Sequence, residues 1–510
     1  MAAETGPDAA SMSRTQVRGS ALLLVGRILS LLLTTATQVL IVRALTKADY
    51  GAFAYALALT SAARTLLSLG QGRLLSRFMS TYEEQRDYDR MFGAMLLAAG
   101  TILVTSTITL TALFVFREQL IGTAVNDPML VQIVLILAFL APLEAFDQVF
   151  VSLFAVFSRA GAIFFRKYLL IPGLRLFVVL LLLLTGADLL FLAIGYLITQ
   201  AIGMIIYIGM LSRMLRERGL LQHLHLRRLK LPARAVFAFS FPLITSELVF
   251  LSMNTGGVFL LAYFQSIEEV ANYRAVYPAA RLNQIILSVF VTLFLPTAAR
   301  LFARADIAGL RRTYWHTAVF VAVFSFPFFA VTGPLAQETT VLLFGERYAE
   351  SALVLALLST GYYVNVMLGF NAYTLQVCGR LRFLVGANVM VAALNFGLSF
   401  ALVPQFGAVG VAAANCVTLV VQNVVNQYAL RASLGTSFIE RAYRRCYLVI
   451  VLAAAVLWAF QLLVEPPLAL ALVAAATVWA GVLLASRGAL ELADTFPELL
   501  RVPVLRRLVK

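Results

Sequence analysis

Apolar residues in this chain come in runs of about twenty, separated by short polar punctuation, and the pattern persists from residue 19 almost to the C-terminus. A run of that length lets a helix cross a hydrocarbon layer of about 30 Å. Within lipid only a helix or a closed barrel satisfies its own backbone. The pattern predicts fourteen spans, at 19–42, 51–70, 92–115, 131–155, 168–184, 189–210, 236–262, 275–296, 314–334, 352–376, 384–402, 408–430, 447–464 and 468–486. The fold class is therefore all-α, a polytopic membrane protein. The polar stretch before the first span lacks a cleavage pattern placed after an apolar core, so it reads as a cytoplasmic tail and not a signal peptide.

The punctuation repeats. TKADYGAFAYA (Thr46 to Ala56) is answered about 220 residues later by SIEEVANYRAV (Ser266 to Val276), and the polar stretch Ser76 to Phe92 by Ala299 to Trp315 at nearly the same offset. Ile136 to Gly161 falls opposite Leu355 to Arg380. The shared offset carries the inference, since each comparison alone is weak. Six spans separate equivalent points, an even number, so both copies cross in the same direction as parallel repeats. The expected organisation is an N-tail at 1–18, a six-helix lobe at 19–212, a basic linker at 213–235, a second six-helix lobe at 236–432, two added helices at 433–487 and a basic tail at 488–510.

Composition agrees: 61% of residues are hydrophobic and 13% charged, with a mean hydropathy of +0.89. Charge then sets sidedness. Thirty-one of the forty Lys and Arg residues fall in the two tails and the loops on the same side, five fall in the opposite loops (Arg43, Lys47, Arg117, Arg274, Arg347), and four lie inside spans. The positive-inside rule places both termini in the cytoplasm. The net charge of +15 is thus a topology signal directed at anionic lipid, not a nucleic-acid footprint. The Leu–Arg mixtures at Ser212 to Arg234 and Glu498 to Lys510 fit either the inner membrane surface or a solvated linker and tail.

Several chemistries are missing. There is no GxxxxGK[ST] phosphate loop, no HExxH and no CxxC, and only three histidines occur, so no cofactor or metal is expected. The three cysteines imply no disulfide framework. Outer loops of roughly 20 residues or fewer leave little room for a glycosyltransferase or polymerase to hold an acceptor, so the chain is not expected to be an enzyme.

What remains is charge inside the spans. An arginine at mid-membrane costs about 2.5–3.5 kcal/mol on insertion scales, so Arg27, Arg64, Arg175 and Arg281 need a reason. One reading has Arg27, Arg64 and Arg281, on matched leading helices of the two repeats, line a hydrated cavity and bind phosphate, with Arg175 a further candidate. Guanidinium suits that task because its donor fork matches phosphate oxygens and its charge is permanent. The other reading has them snorkel to headgroups or pair with carboxylates. Glu144 and Asp147 are three apart on one helix face, and Glu247 is near the middle of the seventh span. They fit an ion-coupling site, or they neutralise the arginines. Amides such as Asn395, Asn415, Gln422 and Asn426 fit helix–helix bonding or sugar binding.

Four stretches carry a resemblance: VRALTKADYGAFAYALAL (Val42 to Leu59), FLPTAARLFARAD (Phe294 to Asp306), LLFGERYAESALVLALLS (Leu342 to Ser359) and LQVCGRLRFLVGANVMVAALNFGLSFALVPQFGAVGVAAANCVT (Leu375 to Thr418). They resemble the polysaccharide transporters, or oligosaccharide-lipid flippases, of the multidrug/oligosaccharidyl-lipid/polysaccharide exporter superfamily. The resemblance implies two six-helix lobes around a cavity, alternating access, and transfer of a polyprenyl-diphosphate-linked glycan across the cell membrane. Membrane lipids, a polysaccharide polymerase and glycosyltransferases would be its partners. It also implies cavity arginines like Arg27, Arg64 and Arg281. One departure is MNTGG (Met253 to Gly257), where an acidic residue is expected. An ion-coupled multidrug or cation antiporter of the same superfamily is the alternative, and would be expected to show twelve spans and an acidic cavity.

Overall fold

The computed structural model describes residues 7–68, 71–116, 128–157, 160–225, 229–435, 437–464 and 466–490. Those residues are helical nearly throughout, with no strand among them. The chain divides into two compact units, Met1–Tyr263 and Phe264–Lys510.

The first unit contains α1 (Pro7–Ala44), α2 (Lys47–Ser68), α3 (Gln71–Glu84), α4 (Tyr88–Val115), α5 (Pro128–Ala138), α6 (Leu140–Val156), α7 (Ala160–Ile163), a π-helical turn (Phe164–Leu170), α8 (Ile171–Thr185), α9 (Leu189–Glu217) and α10 (Ala233–Phe264). Its core gathers Leu75, Met79 and Tyr82 of α3 with Phe150 and Phe154 of α6 and Tyr207 of α9. The second unit contains α11 (Ile267–Arg281), α12 (Ile285–Ala303), α13 (Ile307–Thr332), α14 (Ala336–Phe344), α15 (Ala352–Leu368), α16 (Phe370–Val377), α17 (Leu381–Leu434), α18 (Arg444–Val464) and α19 (Leu468–Leu490). Here α13 is central, with 67% of its most apolar window buried, against 17–22% for α18 and α19.

Each of the fourteen expected spans coincides with helix, and eleven helical stretches among the described residues are long and apolar enough to cross a membrane. One of them, α17, is two rods joined at Gly407, where the backbone turns to φ +51° and ψ −131°. Uncovered apolar side chains such as Leu184 and Leu463 present the surface that lipid covers.

The repeated punctuation is a repeated set of helix starts. Thr46 Oγ1 accepts from the Asp49 backbone N–H at 3.1 Å, and Ser266 Oγ accepts from the Glu269 N–H at 3.4 Å, 220 residues on. The acids that follow sit on the positive end of the helix dipole. A second matched pair lies 219 residues apart. Asp87 caps α4 through the Arg90 N–H and Asp306 caps α13 through the Gly309 N–H. The residue before each is left-handed, Arg86 at φ 54° and Ala305 at φ 56°.

Three expectations need correction. Residues 71–84, expected in an inner loop, form α3, whose apolar side packs on α6. Arg274, expected in an outer loop, lies within α11, because the Ser266 cap starts that helix at Ile267 and not near 275. Arg166 and Lys167, expected in the loop before the fifth span, lie within the π-helical turn. The basic tail falls outside the described residues from 491 onward, its first three residues closing α19.

Candidate functional site

The site builds outward from that turn. Nothing between Ala162 and Ile171 breaks a helix, so the chain continues helical through FFRKYLL, with the Ile171 N–H reaching back five residues to the Arg166 carbonyl. Such wide turns occur mostly inside α-helices and often at functional sites. Two glycines admit neighbouring helices to it. A Cβ on Gly26 of α1 would stand 2.6 Å from the Phe164 ring, and a Cβ on Gly203 of α9 would stand 2.9 Å from Arg166 Nε and Nη2.

Arg166 points into the unit and is 1% exposed. Its Nε donates to the Gly203 carbonyl at 2.9 Å, its guanidinium lies 4.2 Å from the centre of the Tyr207 ring, and it pairs with Asp147 of α6. Charge, ring face and carbonyl together offset its desolvation. Lys167, next in sequence, is exposed and feels the charges of Arg27, Arg64 and Arg166.

One helical turn before Asp147, Glu144 faces two arginines. Its Oε2 is 3.8 Å from Arg64 Nε of α2, and its Oε1 is 3.5 Å from Arg175 Nη2 of α8. Arg175 also lies 4.7 Å from the centre of the Tyr196 ring, and Arg64 Nη2 is 3.4 Å from Ser61 Oγ. The three side chains keep 31%, 26% and 24% exposure for Arg64, Arg175 and Glu144, so both arginines here are accessible where Arg166 is sealed. Asp147 and Arg166 cancel. Arg64 and Arg175 then share the single carboxylate of Glu144, a surplus of positive charge suited to an anion.

The second unit holds a separate cluster. Arg281, exposed at the end of α11, bonds Tyr277 with its guanidinium 5.7 Å from that ring, and Arg274 approaches the ring at 5.5 Å. Tyr362 of α15 sets its ring edge-on to Tyr277 at 6.3 Å, and the Tyr273 hydroxyl accepts from Asn415 at 3.1 Å. The amides bond neighbouring helices: Asn395 to Asn415 at 3.2 Å, Gln422 to Asn388 at 2.9 Å and Asn371 to the Asn423 carbonyl at 3.1 Å.

The structure thus brings Arg64, Arg175 and Glu144 together, sets Arg27 beside the π turn, pairs Asp147 with Arg166, and places Arg281 in the second unit. Glu247 is half-buried midway along α10. Sequence reasoning missed Arg166, Lys167, Arg274 and Tyr277. The absence of a breaker around FFRKYLL and the Ser-x-x-Glu capping box at Ser266 were the available signals. No group of metal-ligating side chains occurs among the described residues.

Helices throughout the described residues, eleven of them long and apolar enough to cross a membrane, define a class, the multi-pass all-α membrane proteins. The chain belongs to the polysaccharide biosynthesis protein family, whose model matches residues 16–302. Solved structures share the fold. A lipid II flippase MurJ in an inward closed conformation is 12% identical with a TM-score of 0.67, over 95% of this chain and 100% of that one. An inward-facing multidrug resistance MATE family transporter of the MOP superfamily is 14% identical with a TM-score of 0.65, over 79% and 94%. A mutant of the Vibrio cholerae MATE transporter VcmN is 14% identical with a TM-score of 0.54, over 83% and 98%. No curated protein matches the chain in sequence.

Proposed function

We propose that this protein is a flippase, not an enzyme, and moves a polyprenyl-diphosphate-linked oligosaccharide from the cytoplasmic to the outer leaflet by alternating access. The observation that carries the reading is the surplus of cations around Glu144 within membrane-spanning helices of a polysaccharide biosynthesis family member. A sugar head cannot cross hydrocarbon without losing its hydrogen bonds, and a diphosphate would also be stripped of water. Accessible guanidinium groups replace that water while the polyprenyl tail stays in lipid. Arg27, Arg64 and Arg175 hold the diphosphate in this reading. Arg281, with the tyrosines around it, offers cationic and ring surfaces of the kind a phosphorylated sugar uses. The MurJ likeness supports the direction of the reading, since that protein is described as a lipid II flippase.

The protein then sits in the cell membrane with both termini cytoplasmic, and it works between the glycosyltransferases that build the lipid-linked unit and the polymerase that consumes it. The test is the location of the lipid-linked oligosaccharide in cells lacking the protein. Accumulation on the inner leaflet with polymer lost, restored by wild type and not by Arg27→Ala, Arg64→Ala or Arg281→Ala, is the expected result. An unchanged lipid-linked pool with raised susceptibility to cationic drugs would replace this reading with the antiporter.

A further inference from the structure

The two carboxylates of α6 are held very differently. Asp147 meets an arginine fixed on three sides and shut away from solvent. Glu144 meets two arginines at 3.5 and 3.8 Å, beyond the 2.7–2.9 Å of a good charge-assisted bond. Those arginines also have donors to spare: Arg64 Nε and Arg175 Nε are both buried atoms with no hydrogen-bond acceptor. The Tyr196 ring keeps the Arg175 guanidinium in place whether or not the carboxylate stays. The arrangement is an anion site built from two helices and loosely filled by a side chain.

We propose that Glu144 is a resident stand-in for phosphate: its carboxylate occupies the Arg64–Arg175 site in the unloaded protein, is displaced when a diphosphate arrives, and returns to help expel it. The inference rests on the reading of a diphosphate-bearing lipid as cargo, and it adds a reset to that reading. A cleft of unpaired arginines would hold a diphosphate too firmly to release it. A tethered carboxylate competes at every turnover and lowers the affinity without abolishing it. Asp147 cannot serve in this way, because its departure would leave Arg166 buried and unpaired.

The experiment measures binding to the full-length protein in lipid nanodiscs, with farnesyl diphosphate as the lipid-linked probe and inorganic pyrophosphate as the free one. Glu144→Gln removes the competing charge and keeps the side-chain shape, and Glu144→Ala provides a second variant should the first misassemble. Both are expected to bind the probe about three- to tenfold more tightly, the scale of losing partly exposed ion pairs, whereas Arg64→Ala and Arg175→Ala weaken binding. A merely structural role for Glu144 would move affinity the other way. If wild type binds and neither Glu144 variant binds more tightly, the stand-in is overturned while the cationic site survives. If wild type binds neither probe, the anion site fails, and both the flippase reading and this inference fail with it. Tighter binding of farnesyl diphosphate alone assigns the site to a membrane-borne ligand, and an equal gain for pyrophosphate assigns it to phosphate from either source.

Discussion

Asp147 and Glu144 show how one chemical group, a carboxylate, serves two ends one helical turn apart. Burial of Arg166 makes its pairing with Asp147 indispensable to the fold, because removing the carboxylate strands the guanidinium in a low-dielectric interior. Asp147→Ala is expected to cost about 3–5 kcal/mol, read as a drop in melting temperature. Arg166→Leu with Asp147→Leu should recover much of it, and a double-mutant cycle measures the coupling. Partial exposure makes the Glu144 pairs adjustable instead. In reconstituted vesicles Glu144→Gln should therefore lower turnover of a lipid-linked oligosaccharide while melting within a few degrees of wild type. Little of this was legible beforehand. The spacing of Glu144 and Asp147 gave their shared face, but pairing with Arg64 and Arg175 depends on how three non-consecutive helices rotate against each other, which a single sequence does not encode.

At the scale of elements, the helix starts carry much of the information. The Asp87 and Asp306 caps, each after a left-handed residue, turn the chain back at matching points of the two repeats. Asp87→Ala and Asp306→Ala should each cost about 1 kcal/mol, visible as faster hydrogen exchange confined to the first turn of α4 or α13. The spans were legible because hydropathy reports what lipid covers. At residues 71–84, 160–167 and 267–274 hydropathy falls although the chain is helical, so α3, Arg166 and Arg274 read as loops. The capping box at Ser266 was the local signal that hydropathy overrode.

Across the whole molecule, the last two helices are part of a core and not an appendage. Trp315 of α13 lies against Tyr443 and Tyr447 at ring distances of 6.3 and 6.2 Å, the Tyr447 hydroxyl donates to the Met367 carbonyl at 2.9 Å, and Trp479 donates to the Val323 carbonyl at 3.2 Å. Gln461 of α18 donates to Glu338 of α14 at 2.7 Å. Truncation after Gly435 should therefore abolish accumulation of the protein in membranes, measured by immunoblot of membrane fractions. A tail outside the core would leave abundance unchanged. Sequence reading placed these helices outside the repeat, and pattern alone could not report that they bury Trp315.

The wide turn at Phe164–Leu170 also fixes an angle. An α-helix advances about 100° per residue, and a π turn absorbs roughly one residue without that advance, so the faces on either side of it stay in phase. Were the same seven residues wound as ordinary α-helix, everything after them would rotate by about 100°. Arg175 would swing away from Glu144 while Arg166 kept Asp147. Deleting one exposed residue of the turn, Leu169, should straighten the helix and leave both pairs aligned, whereas adding one should separate them. The deletion is expected to keep diphosphate binding and the insertion to lose it. A single residue there sets the phase of a whole helix.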